Sequence, residues 1–208
     1  AKQGGFSGGM FAIFIPPPEV VKREPHFDVT FTADGFITAL PEPIEQAYAQ
    51  NLTDKVIDFA YRLEAESQRQ VKVAQNFDTL EMCLEQNVLA LVLHLEGAEA
   101  IKPDLSNLED YYVDGVRSLG IVWSRPNAFG NGVPFNYPSS PDTGEGLTEA
   151  GKALVRECNR LGVMADLTRI LADGGISIDA VLQQEPGNQV NLDIIMLTHQ
   201  TREKNIDA

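Results

Sequence analysis

Cysteine is nearly absent from this chain. Its 208 residues hold two, Cys83 and Cys158, both in helix-like sequence. So small a supply excludes a disulfide-stapled secreted scaffold and points to a reducing compartment, so a cytoplasmic location is expected. Long hydrophobic runs are also lacking: no apolar stretch approaches the roughly 20 residues of a membrane-spanning helix. Positive charge is scarce. Sixteen Lys and Arg stand against thirty Asp and Glu, for a formal net charge of −14 and a pI near 4.5. Non-specific binding to nucleic acid or to an anionic membrane surface needs a basic face, so neither partner is expected. The first residues, Ala1-Lys2-Gln3-Gly4-Gly5-Phe6, show neither an initiator Met nor the apolar core of a signal peptide, and they read as the interior of a longer protein.

What the chain does have is a globular composition, 43% hydrophobic and 22% charged. Its length suits one mid-sized domain, alone or with a small second one. The most informative segment is Val88-Leu89-Ala90-Leu91-Val92-Leu93-His94-Leu95-Glu96-Gly97. A short, unbroken apolar run of this kind predicts a strand buried on both faces, as in a parallel sheet flanked by helices. Ligands and chemistry sit at the carboxyl ends of such strands. A carboxylate placed there costs desolvation energy unless a cation meets it, so Glu96 is a candidate metal ligand, with a solvent-facing strand end as the ordinary alternative. Strand alternation puts His94 on the same face, as a second ligand or as a histidine hydrogen-bonded within the sheet.

The surrounding pattern alternates strand and helix. A strand over residues 10–15 ends at Pro16, Pro17 and Pro18. A short strand is expected over residues 29–32, inside a surface excursion rich in proline. Ile44, Tyr48, Leu52, Val56, Phe59, Ala60 and Leu63 recur at helical spacing and predict an amphipathic helix over residues 44–70. A strand over residues 71–74 and a helix capped by Asp78 follow. A further helix is predicted over residues 106–116, with Ser106 as cap and Glu109 in the capping-box position. A strand is predicted over residues 118–123. A long loop over residues 125–146 precedes a helix from Thr148 to Leu161, which Gly162 ends. This rhythm means βα units and a parallel sheet, and the strand-end chemistry favours a barrel. A complete (β/α)8 barrel needs about 250 residues, so the expected fold class is α/β with an incomplete TIM-type barrel.

Several segments resemble the membrane dipeptidase (renal dipeptidase) family, particularly its bacterial members. They are Gly4-Gly5-Phe6-Ser7-Gly8-Gly9-Met10-Phe11, Leu93-His94-Leu95-Glu96-Gly97-Ala98-Glu99 and Leu119-Gly120-Ile121-Val122-Trp123-Ser124-Arg125-Pro126-Asn127-Ala128-Phe129-Gly130. Gly146-Leu147-Thr148 and Leu154-Val155-Arg156-Glu157-Cys158-Asn159-Arg160-Leu161-Gly162-Val163 continue the match in order. The resemblance covers residues 1–168. It implies a two-zinc (β/α)8 barrel that hydrolyses dipeptides, with Glu96 matching the metal-bridging glutamate. One carboxylate can offer an oxygen to each of two ions about 3.5–4 Å apart. The resemblance also implies a His-x-Asp pair on a strand before the glycine-rich segment, where this chain has not yet begun. His26-Phe27-Asp28 has that spelling on the wrong side of the segment and is read as coincidence. Asp166-Leu167-Thr168 is followed by Arg169 where family members continue with histidine. Trp123 stands where many members carry a substrate-binding histidine, which leaves Arg125 and Asn127 as candidate substrate-binding groups.

The tail changes character. Residues 162–186 and 193–205 resemble the ACT domain at the C-terminus of homoserine dehydrogenase. The pattern predicts a helix over residues 164–172, then strands over residues 176–184 and 190–198 joined by a turn at Gly187-Asn188, and the start of a second helix near Thr201. The expected domains are a partial dipeptidase-like barrel over residues 1–168 and a partial ACT-like, ferredoxin-like α+β segment over residues 169–208, with the junction within residues 161–169. ACT domains bind amino acids as regulatory modules, usually across a paired interface, so an amino-acid effector and a homo-oligomer are further candidates. Three functions stay open: a zinc-dependent dipeptidase, an amino-acid-binding module, and a joined fragment with no activity of its own. As an isolated chain the last is favoured, because most of the metal ligands that the resemblance implies are missing.

Overall fold

The structure is a computed structural model and describes residues 5–18, 29–134, 136–139, 144–165, 177–183 and 194–199. It separates into two compact units, Ala1–Ala165 and Asp166–Ala208.

The first unit is built on parallel strands. β1 (Gly8–Phe14), β5 (Leu89–Glu96), β6 (Val116–Gly120) and β7 (Met164–Ala165) lie side by side in that order, and β4 (Val71–Val73) pairs with the beginning of β5. Every pairing in this sheet is parallel. Four helices make the returns that parallel pairing requires. α1 (Gln46–Glu66) packs on β1 and β4, and α2 (Phe77–Glu85) packs on β5. α3 (Leu108–Val113) packs on β6, and α4 (Glu149–Leu161) packs on β7. This is the α/β architecture that the strand–helix rhythm predicts, with β5 and β6 adjacent and parallel.

Local chemistry explains most boundaries. α1 buries Ala49, Thr53, Ile57 and Ala60, one stripe at three- and four-residue steps. In α4 the Thr148 hydroxyl accepts from Gly151 N at 3.1 Å, and Gly162 closes the helix at φ 77°, a left-handed conformation that costs glycine nothing. Along β5, Leu93 and Leu95 are fully enclosed, while Val92, His94 and Glu96 on the opposite face are half-buried. The register sets Phe14 and Gly120 beside Glu96. Both cysteines lie in helices, buried as free thiols.

Several boundaries differ from the expectations. α2 is capped by Asn76, whose Oδ1 accepts from Thr79 N at 2.8 Å, and Asp78 lies inside the first turn. Ser106 does not cap α3; Asn107 precedes it, and the Asn107 side chain instead accepts from Lys102 N and donates to Ala100 O. The strand expected over residues 118–123 is β6, shifted back to Val116–Gly120. The surface excursion holds two strands rather than one, an antiparallel pair of β2 (Val29–Phe31) and β3 (Phe36–Thr38). Met164 does not start a helix: Met164 and Ala165 pair with Ser118 and Leu119 as β7, which extends the parallel sheet.

In the second unit, β8 (Ser177–Gln183) and β9 (Ile194–His199) pair antiparallel, with a register shift between Ile178 and Ala180. The two strands expected of the tail are therefore present. The turn at Gly187-Asn188, the rest of the expected helix over residues 164–172 and the helix expected near Thr201 lie outside the described residues. Among the described residues no helix is long and apolar enough to cross a membrane.

Candidate active site at the strand ends

The carboxyl end of β5 presents Glu96, half-buried, on the same face as His94. The His94 ring is held from β6, with Nδ1 2.8 Å from Ser118 Oγ. Beyond Glu96 the chain turns through Gly97 at φ 107°. The ladder to the neighbouring segment nevertheless continues, with Gly97 N donating to Gly120 O and Ala98 N to Ile121 O, each at 3.1 Å.

Next to this strand end lies a buried ion pair. Arg125 Nη1 is 3.2 Å from Glu99 Oε1, and the two side chains are 0% and 2% exposed. The same nitrogen donates to Ile15 O at 3.0 Å. The guanidinium carbon lies 5.3 Å from the centre of the Trp123 ring, and Trp123 meets Phe14 edge-on at 4.9 Å. Burial pushes the Glu99 carboxyl up from its ordinary range, while its own backbone, Arg125 and the Trp123 indole pull it back. Burial pushes Arg125 down, and Glu99 opposes that shift. Arg125 Nε and Nη2 and Glu99 Oε2 are buried without a hydrogen-bond partner among the described residues.

Asn127 organises the loop after β6. Its Nδ2 donates to Ile121 O at 2.7 Å, its Oδ1 accepts from Phe129 N at 2.9 Å, and its backbone N donates to Gly130 O at 3.1 Å. A cavity of about 200 Å³ lies beside it, lined by Ile44, Gln46, Glu99, Pro126 and Asn127 among others. Of the two candidate substrate groups, Asn127 has both side-chain polar atoms in hydrogen bonds within the loop, and Arg125 has only Nη1 so engaged. Sequence reasoning gave Glu99 no role of its own, although a carboxylate between Ala98 and Ala100 is a signal that a buried cation lies nearby.

The structure therefore brings Glu96, His94, Glu99 and Arg125 to one end of the sheet. Among the described residues no group of three or more His, Cys, Asp or Glu is placed to hold a metal ion. Glu96 suits a shared metal by position and charge, but one carboxylate and one neighbouring imidazole fall short of a complete ligand set. His26, Asp28, Asp166, Thr168 and Arg169 lie outside the described residues.

The chain matches the family model described as Membrane dipeptidase (Peptidase family M19) over residues 1–176. A solved metallo peptidase from Rhodobacter sphaeroides, liganded with a phosphinate mimic of the dipeptide L-Ala-D-Ala, is 39% identical, with a TM-score of 0.71 over 81% of this chain and 48% of that one. A solved structure described as the dipeptidase AC is 43% identical, with a TM-score of 0.72 over 81% of this chain and 47% of that one. A homoserine dehydrogenase from Methylobacillus glycogenes is 54% identical over 54 residues, 26% of this chain and 13% of that protein. The chain spans about half the length of the curated relative and the solved structures that it matches over most of its own length. The parallel sheet and a family match over most of the chain agree: the chain belongs to the membrane dipeptidase family.

Proposed function

We propose that this chain carries the Glu96-bearing portion of a zinc-dependent dipeptidase site, and that taken alone it is catalytically incomplete. The observation that supports this most is Glu96 itself. It is a half-buried carboxylate at the carboxyl end of a strand enclosed by parallel neighbours, where parallel α/β folds place their ligands and chemistry. A related enzyme holds a phosphinate dipeptide mimic, which makes a dipeptide the substrate class to test. The incompleteness follows from ligand number, since a catalytic zinc normally takes three protein ligands. The test is elemental analysis after dialysis, for the natural chain and for Glu96→Gln, together with L-Ala-D-Ala hydrolysis in added zinc. The expected result is zinc uptake by the natural chain that is measurable but short of two retained ions, no turnover, and loss of that uptake in Glu96→Gln. Two retained zinc ions with turnover would overturn the incompleteness and return attention to His26 and Asp28. Zinc uptake unchanged in Glu96→Gln would overturn the metal role.

A second reading is supported by the antiparallel β8–β9 pair and the short match to a homoserine dehydrogenase. On this reading the tail binds an amino acid as an ACT-like regulatory module, across a homo-oligomer interface and in the cytoplasm. Calorimetric titration with free amino acids tests it: saturable heat from the full chain supports the module, and no heat with any of them removes it.

A further inference from the structure

We propose that Glu99 and Arg125 are positioning residues, whose buried ion pair locks together the chain segments leaving β1, β5 and β6 and thereby fixes the backbone that carries Glu96. That Glu96 is being positioned for metal chemistry rests on the reading above; the lock itself does not.

Four observations meet at this point. First, Arg125 Nη1 joins two segments that are remote in sequence, Ile15 O just past β1 and Glu99 Oε1 just past β5, from its own place past β6. Second, the Glu99 carboxylate folds back against Gly97, so closely that a Cβ there would collide with it. The carboxylate of the pair therefore fills the space beside the residue next to Glu96. Third, the Trp123 ring lies beneath the Arg125 guanidinium, and the same ring stands edge-on to Phe14, which is opposite Glu96 in the register. Fourth, the inter-strand hydrogen bonds run on past the strands through Gly97 and Ala98, the two residues between Glu96 and Glu99. Each segment on its own is a strand end followed by a turn. Tied through one guanidinium, they keep fixed spacing.

An ordinary buried ion pair would support the whole unit evenly, whereas a lock supports the strand ends in particular. The experiment separates these by amide hydrogen exchange on the full chain. It compares the natural protein with Glu99→Gln/Arg125→Met, which removes both charges together and leaves no lone buried ion. The expected result is exchange at Gly97 and Ala98 accelerated by roughly tenfold or more relative to Leu154 and Cys158 in α4, because local opening becomes easier than global opening. Arg125→Lys keeps the charge but loses the planar fork, and it makes the same comparison should the double variant fail to fold. An unchanged ratio between the strand-end and α4 amides overturns the lock. A zinc titration of the same proteins and of Glu96→Gln decides the functional part. Weakening by about 10- to 100-fold in the double variant is the effect expected of groups that orient a ligand. A natural chain that binds no zinc, or a Glu96→Gln variant that binds as the natural chain does, overturns the metal reading, and the exchange ratio then decides the lock by itself. Zinc binding lost in Glu96→Gln but unchanged in the double variant overturns the positioning of Glu96 alone.

Discussion

Replacing Gly97 with alanine puts a methyl group where the Glu99 carboxylate sits. Two costs follow. The backbone stands at φ 107°, outside the regions that side-chain-bearing residues favour, at about 1–3 kcal/mol. The carboxylate must also leave its seat. It is the far end of a flexible side chain and would move cheaply in the open, but here it is buried against Arg125. Displacing it strands the guanidinium without its counter-charge, a loss of about 3–5 kcal/mol for a broken buried pair. Gly97→Ala is therefore expected to cost about 4–8 kcal/mol, a large part of the about 5–15 kcal/mol that holds a typical domain. The two terms separate in a double-mutant cycle. In a Glu99→Ala background the obstruction is already gone and the pair already broken, so Gly97→Ala should cost only the backbone term. The coupling expected between the two sites is about 3 kcal/mol or more. Urea unfolding followed by tryptophan fluorescence is well placed to measure it, since Trp123 is the only tryptophan and stands in the cluster. Costs that add to within about 0.5 kcal/mol would refute the account, because they would mean that Gly97 and Glu99 do not share the space.

Burial raises the Cys158 thiol from its ordinary 9.0 to about 11. Its contribution is therefore complete below pH 9 and is lost as pH rises towards 11, because only the unfolded chain gives up the proton in that window. Urea unfolding at pH 8 and pH 11 should show the natural chain losing about 2 kcal/mol more than Cys158→Ala, and equal losses would contradict the assigned burial. Thr148→Ala removes the cap of α4 and the hydrogen bond from the Thr148 hydroxyl to Ala128 O, with an expected cost of about 1–2 kcal/mol in thermal or urea unfolding; no change would mean that the helix start is held by other contacts.

The elements that could be read from the sequence are those whose pattern is long or doubly marked. β5 announces itself by an unbroken apolar run, and α4 by a cap at Thr148 and a stop at Gly162, both of which serve as their chemistry suggests. The others turn on competition that one sequence does not decide. Asn76 and Asp78 can each accept from a first-turn amide, and the choice depends on where the chain enters α2. β3 is three residues long, too short for alternation to register, and it exists because a turn with Thr32 N on Gly35 O folds it back on β2. Val163-Met164-Ala165 falls in the string that two families could supply. The tail's resemblance suggests a helix there, but the open edge of β6 offers a ladder, and parallel pairing prevails.

The strand-end cluster shows a sharper limit. Glu96 was legible because a carboxylate ending an apolar strand conflicts with its surroundings, and conflicts of that kind stand out in a sequence. Arg125 was singled out only as a polar group near the place where relatives carry a substrate-binding histidine, and the residue it answers in the structure lies 26 positions earlier. No periodicity links Glu99 to Arg125; the link is made by two strand ends meeting. The clue was present all the same. Ala98, Glu99, Ala100 and Ile101 are all buried, and a carboxylate among them demands a buried cation. Arg125 follows Trp123 and Ser124 in a segment that is itself apolar and just as much in need of an anion. Two opposite charges, each set in sequence too apolar to solvate it, are better read as partners for one another than as separate groups awaiting substrate. On that logic Glu99 and Arg125 answer each other first, as the proposed lock requires, and a substrate contact from Arg125 would have to come through Nε and Nη2, the nitrogens that Glu99 leaves without a partner.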